Sequence, residues 1–169
     1  GPNNVVATTK DSSDKTIDTA SNMATEQIAA GALTNTPLFT TPTDTPGVQQ
    51  VAVVNFKTAG RVLVAGKVVL QMPDLSSGVQ EGWTFATPAV QFSAPSSSTP
   101  AVTDTPQFSG RTLTMVIATN AMAQGVDHTF TVSNTRTPSS VVGTNNVVAT
   151  TKDSSDKNID TASNMATEQ

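Results

Sequence analysis

Residues 111–119 read "RTLTMVIAT", and the alternation within them decides the fold. Leu113, Met115 and Ile117 fall on one face and Thr112 and Thr114 on the other, the period of two that a half-buried strand requires. The same device recurs upstream in "KVVLQM" (67–72), where Val68, Leu70 and Met72 oppose Lys67 and Gln71. Downstream, "HTFTVSN" (128–134) sets His128, Phe130 and Val132 against Thr129, Thr131 and Ser133. "QQVAVVNFK" (49–57) and "GWTFATPAVQF" (82–92) add longer apolar runs, and in the second Trp83 and Phe85 flank Thr84 as core anchors. Proline stands between the strongest runs and not inside them, as ladder hydrogen bonding demands. Turn signals such as "PTDTPG", "MPDLSSG" and "APSSSTPAVTDTP" separate them. The pattern predicts an all-β fold, an antiparallel β-sandwich of immunoglobulin-like kind.

One segment is written twice. "NNVVATTKDSSDKTIDTASNMATEQ" fills 3–27 and "NNVVATTKDSSDKNIDTASNMATEQ" fills 145–169, differing only at Thr16 and Asn158, so the period is 142 residues. A repeat at fixed spacing is the signature of a tandem array. The reading adopted is one repeat unit over 28–169, preceded at 3–27 by the closing piece of the unit before it; the opposite phasing, a unit over 3–144, stays open. Gly1 and Pro2 read as the scar of a cleaved expression tag. Within each copy, "VVATTKD" and the run ending "IDTAS" flank "SSDK", which predicts a hairpin. Such a hairpin is not stable alone in water, so it must add to a sheet. The nearest strand in sequence, the one ending near Asn134, is the expected host. The N-terminal copy is then a surplus hairpin that dangles, competes for the other copy's place, or pairs with an exposed edge. Between hairpin and body, "SNMATEQIAAGAL" reads either as a short helix from Met23 to Ala30, capped by Ser21 or Asn22 and stopped by Gly31, or as a coil linker or edge strand.

Composition narrows the function classes. Charged residues make up 13% of the chain while Ser and Thr together number 45, so the surface is hydroxyl-rich rather than ionic. Residues 28–144 carry five basic and five acidic side chains, and each tail carries two lysines against four acids. A neutral body without a Lys/Arg cluster predicts no nucleic-acid partner and no anionic-lipid surface, and no stretch is long and apolar enough for membrane insertion. With no cysteine there is no disulfide framework and no thiolate chemistry.

The order of "VNFKTAGRVLVAGKVVLQMPD" (54–74) and "GVDHTFTVSNTRTPSSVVGTNNVVATTKDSSDKNIDT" (125–161) resembles the tandem β-sandwich repeats of very large secreted or cell-surface, adhesin-like proteins of microbes and microalgae. Phe56, Gly66, Pro73, Pro138 and Asp160 sit where that pattern expects them. The resemblance implies an extracellular adhesive or matrix-scaffolding role, with neighbouring repeats of the same protein, polysaccharide or surface glycans as partners. It supplies no catalytic residues.

Chemistry-bearing residues are few. His128 is the one histidine; Asp127 beside it points to the opposite strand face, and no nucleophile context accompanies it, so no enzyme is expected. Asp153, Asp156 and Asp160, like Asp11, Asp14 and Asp18, are the oxygen ligands a calcium ion takes if they gather at a hairpin tip; their plainer reading is a solvated turn paired with Lys152 and Lys157. Lys57 or Lys67, Asn134 and Glu81 are the pieces of an internal lysine–asparagine amide crosslink, which requires a buried amine. Trp83, the lone tryptophan in a chain without tyrosine, is either a core anchor or a stacking surface for a sugar. Loops 94–106 and 75–82 are the candidate binding loops, and the Ser/Thr/Pro tract in the first is a candidate for O-linked glycans.

Overall fold

The computed structural model describes residues 4–24, 27–75, 81–95, 99–102, 106–141 and 146–167. Among them every regular element is a strand. A first hairpin, β1 (Asn4–Lys10) and β2 (Thr16–Ala24), forms a two-stranded sheet of its own. The body follows with β3 (Gly31–Ala32), β4 (Thr34–Thr40), β5 (Gln49–Lys57), β6 (Lys67–Gln71), β7 (Thr84–Phe85), β8 (Val90–Ala94), β9 (Ala101–Val102), β10 (Gln107–Ser109), β11 (Thr112–Thr119) and β12 (Asp127–Arg136). A second hairpin, β13 (Asn146–Lys152) and β14 (Asn158–Thr167), closes it.

The body strands form one hydrogen-bonded path, β10-β11-β6-β13-β14-β4-β5-β12-β7, with β3 on β14, β8 on β12 and β9 on β11. Its pairings are antiparallel except where β14 runs parallel to β3 and β4. The path folds over on itself: Phe85 of β7 and Phe108 of β10, at its two ends, lie 4.8 Å apart between ring centroids. The result is a β-sandwich around a single core.

The core is the apolar face of each alternation. Val68 and Leu70 from β6, Leu113, Met115 and Ile117 from β11, Ala52, Val54 and Phe56 from β5, and Phe130 and Val132 from β12 are all fully buried. Phe56 and Phe130 meet edge to face at 5.9 Å, a favoured arrangement of the ring quadrupoles. Each of these side chains other than Ala52 contributes on the order of 1.5–3 kcal/mol of transfer free energy. Phe85 is buried as expected, while Trp83 is half-buried with its ring edge to face against Phe39 at 5.4 Å.

Two expectations are corrected. The short helix from Met23 to Ala30 does not form: Met23 and Ala24 end strand β2, and residues 27–30 are irregular. The coil-linker alternative holds for 27–30, because the hairpin register carries Met23 onto Val5 and Ala24 onto Asn4. The closing hairpin also does not add to the strand ending near Asn134. Both edges of β12 are taken, one by β5 and the other by β7 and β8, so β13 adds instead to the open edge of β6.

Candidate interaction surface

The two copies of the repeated segment fold alike. Val5 faces Met23 as Val147 faces Met165, and Thr9 faces Asp18 as Thr151 faces Asp160. The register irregularities fall at corresponding places, between Val5 and Ala7 and between Val147 and Ala149. At the tips, the Asp11 carboxylate accepts from the amides of Ser13 (2.8 Å) and Lys15 (2.9 Å), and Asp153 does the same for Ser155 (2.8 Å) and Lys157 (2.9 Å). Asp14 and Asp156 share a left-handed φ of 64°. Local sequence therefore specifies the hairpin, by side-chain capping of its own turn.

The surroundings differ completely. Strand β13 pairs with β6, placing Thr150 opposite Val69 and Ala149 opposite Leu70. Strand β14 pairs with Gly31 at Asp160 and with Leu38 at Ala166. The hairpin is thus a two-strand insert between β6 on one side and β3 and β4 on the other. Val147, Ala149 and Met165 are fully buried there, whereas Val5 is 46% and Met23 48% exposed and Ala7 lies open.

A polar contact fixes the insert. Asp160 is fully buried, and its two carboxylate oxygens accept the Gly60 amide at 3.1 and 3.0 Å. Thr151 Oγ1 donates to the same carboxylate at 3.3 Å and accepts from the Asp160 amide at 3.1 Å. Glycine is required on the receiving side: a Cβ on Gly31 would collide with Asp160 Oδ1, and one on Gly60 with Ile159 Cγ2. In the free copy Asp18 keeps the bonds within the hairpin, to Thr9, and among the described residues none to the body. A second polar contact also changes hands. Asp14 pairs with Lys10 at 2.9 Å, while Asp156 pairs with Lys67 of the body at 2.7 Å. That hydrogen bond from the ammonium holds the Asp156 carboxyl below its ordinary range.

The three aspartates suggested for calcium do not converge. Asp153 caps its own turn, Asp156 meets Lys67, and Asp160 lies under Gly60. Among the described residues no group of three acidic or histidine side chains is placed to hold a metal ion. The crosslink pieces are also separate: Lys57 lies opposite Asp127, at the end of the β5–β12 pair remote from Asn134. Asn134 accepts from Gln49 at 3.0 Å and donates to the Thr87 carbonyl at 3.2 Å, while Glu81 pairs with Arg136 at 3.6 Å.

His128 is a fully buried core residue, as its strand position predicts. Nε2 lies 3.2 Å from the Ala123 carbonyl oxygen and therefore carries the proton; Nδ1 is buried and has no partner among the described residues. Burial lowers its pKa, against smaller opposing effects of the Ala123 bond and the Asp127 charge. The ring sits beside Phe56 in the core, and among the described residues no acid or hydroxyl is bonded to it.

A cleft of about 300 Å³ opens beside Trp83, lined also by Met72, Asp74, Phe108 and Arg111. Arg111 forms one polar wall, with Nη2 3.5 Å from Asp74 and Nη1 donating to the Met72 carbonyl at 3.0 Å. Of the two candidate binding loops, residues 76–80, 96–98 and 103–105 lie outside the described residues. The role of Gly31 and Gly60 in receiving the hairpin was missed by sequence reasoning, because the partner of each lies some hundred residues away. No protein family, curated protein or solved structure matches this chain in comparisons with each.

Proposed function

We propose that the chain is a non-enzymatic structural repeat of a long extracellular tandem-repeat protein, serving adhesion, surface scaffolding or matrix assembly, with neighbouring repeats of the same protein as its first partners. The observation that carries this reading is the repeated segment itself. One sequence at a 142-residue period forms the same hairpin twice, once as an integral part of a sandwich and once with its apolar face uncovered. That is what one period of an array with the end of the preceding period looks like. His128, the single histidine, is a buried core residue whose Nε2 bonds the Ala123 carbonyl, which supports the non-enzymatic part.

Stretching a chain extended by several further 142-residue periods in a single-molecule force experiment tests the reading. Equal unfolding steps, one per period, are expected. A single step or unequal steps would remove it.

The Trp83 cleft favours a second reading, a carbohydrate- or protein-binding module, since an aromatic ring beside an arginine–carboxylate pair suits a sugar. Trp83 is the only tryptophan, so its emission reports on this cleft alone. Titration with soluble polysaccharides should shift that emission if the second reading holds; constant emission across the panel rejects it for carbohydrate.

A further inference from the structure

Resting on the repeat reading for its setting, the geometry points to the N-terminal hairpin as a plug for the body of another copy of this chain, and one that cannot close the body that follows it. The buried copy shows what covers the exposed one. Placed in the same slot, Val5, Ala7 and Met23 would take the positions of Val147, Ala149 and Met165, and Asp18 would receive the Gly60 amide as Asp160 does. Asp14 would pass from Lys10 to Lys67, as Asp156 has. Thr16 in place of Asn158 falls at the exposed tip and does not alter the fit.

Connectivity sets the direction. Strand β14 runs parallel to β3 and β4, with Asp160 beside Gly31 and Ala166 beside Leu38. A β2 strand in that place would put Asp18 beside Gly31 and Ala24 beside Leu38. The chain would leave the slot at Ala24 and have to re-enter the adjacent parallel strand at Gly31, the other end, through residues 25–30 alone. Parallel neighbours need a crossover of about a dozen residues or more. The return is roughly 20 Å of strand, six residues at about 3.3 Å each. Seven peptide steps reach at most about 25 Å fully extended, which leaves nothing to pass around the sheet. The hairpin is therefore excluded from its own body and fits any other whose slot is empty. In an array each hairpin closes the body before it. A copy whose closing hairpin is undocked becomes the acceptor of a head-to-tail contact, which propagates because it is heterologous.

The chain has no cysteine, so a disulfide can report the docking. An acceptor carries Ala149→Asp and Met165→Asp, which spoil its own closing hairpin, together with Val5→Asp and Met23→Asp to silence its plug and Val69→Cys as reporter. A donor is the full chain with Thr8→Cys, the counterpart of Thr150, which faces Val69. Oxidation of the mixture should give a covalent one-to-one dimer. Adding Val5→Asp and Met23→Asp to the donor should lower its yield at least about tenfold, since charged side chains would enter the core. If the acceptor is unfolded alone, its β-sheet circular dichroism should return on adding donor. Absence of both the dimer and the recovered signal overturns the proposal. So does an intramolecular disulfide in a monomer carrying the spoiled closing hairpin, an intact plug, Thr8→Cys and Val69→Cys. Equal force steps in the array together with either result would leave the repeat reading standing and sink only the plug.

Discussion

Asp160 lies fully buried with both carboxylate oxygens on the Gly60 amide, at 3.1 and 3.0 Å, although its sequence counterpart Asp18 is exposed and bonds to Thr9 of its own hairpin. One residue in one local conformation is a structural latch in one copy and a solvated side chain in the other. Replacing Asp160 by Ala leaves the half-buried Gly60 amide without its carboxylate partner and should cost about 1–3 kcal/mol. Asp18→Ala should change stability by less than about 0.5 kcal/mol. Paired denaturant titrations check both; equal losses would contradict the assigned roles.

The methionines make the apolar version of the same comparison. Met165 is fully buried and Met23 is 48% exposed. Met165→Ala should destabilise by about 2–5 kcal/mol, through lost transfer energy and the cavity left behind. Met23→Ala should be near neutral, within about 0.5 kcal/mol. Thermal melts of the two variants read the difference.

Gly31 tests the fit of the insert from the other side. A methyl group there meets Asp160 Oδ1 on the docked hairpin, so Gly31→Ala should cost about 1–3 kcal/mol as overpacking. Gly82, where a Cβ meets nothing within 4 Å, is the control, and Gly82→Ala should leave the melting temperature essentially unchanged. A neutral Gly31→Ala would show that the β3–β14 contact is looser than described.

Acidification should act through His128. Burial lowers its folded-state pKa from 6.5, so the unfolded chain binds the proton more readily. The stability that follows is fully present above pH 6.5 and is lost as pH falls through the depressed folded value. His128 is the only histidine, and Asp156, whose carboxyl is held below 3.8, titrates in a separate, more acidic window. Denaturant midpoints measured from pH 8 downward should be flat and then decline below about 6.5, the unperturbed histidine range. His128→Leu, whatever its effect on overall stability, should flatten that decline.

The strands of the body were legible because each is half-buried, which forces apolar residues onto every second position. Leu113, Met115 and Ile117 could be assigned to the core without coordinates for that reason. The hairpin was legible because Asp11 and Asp153 cap their own turns. The host of the hairpin was not. Nearness in sequence pointed to the strand ending at Asn134, but which sheet edge stays open depends on where β5, β7 and β8 pair, and those contacts are long-range. The helix over Met23–Ala30 failed for a related reason: a segment of about two turns has too little propensity to resist continued strand pairing.

What the chain's own letters decided is everything governed by neighbours a few residues apart: the alternation of each strand, the shared register and turn of both hairpins, the 142-residue period, the absence of thiol chemistry. Tertiary structure alone decided that one hairpin is core and its near-twin is surface. The physical reason is that burial belongs to a place rather than to a sequence: among the described residues one slot lies between β6 and β3–β4, and the closing hairpin β13–β14 fills it.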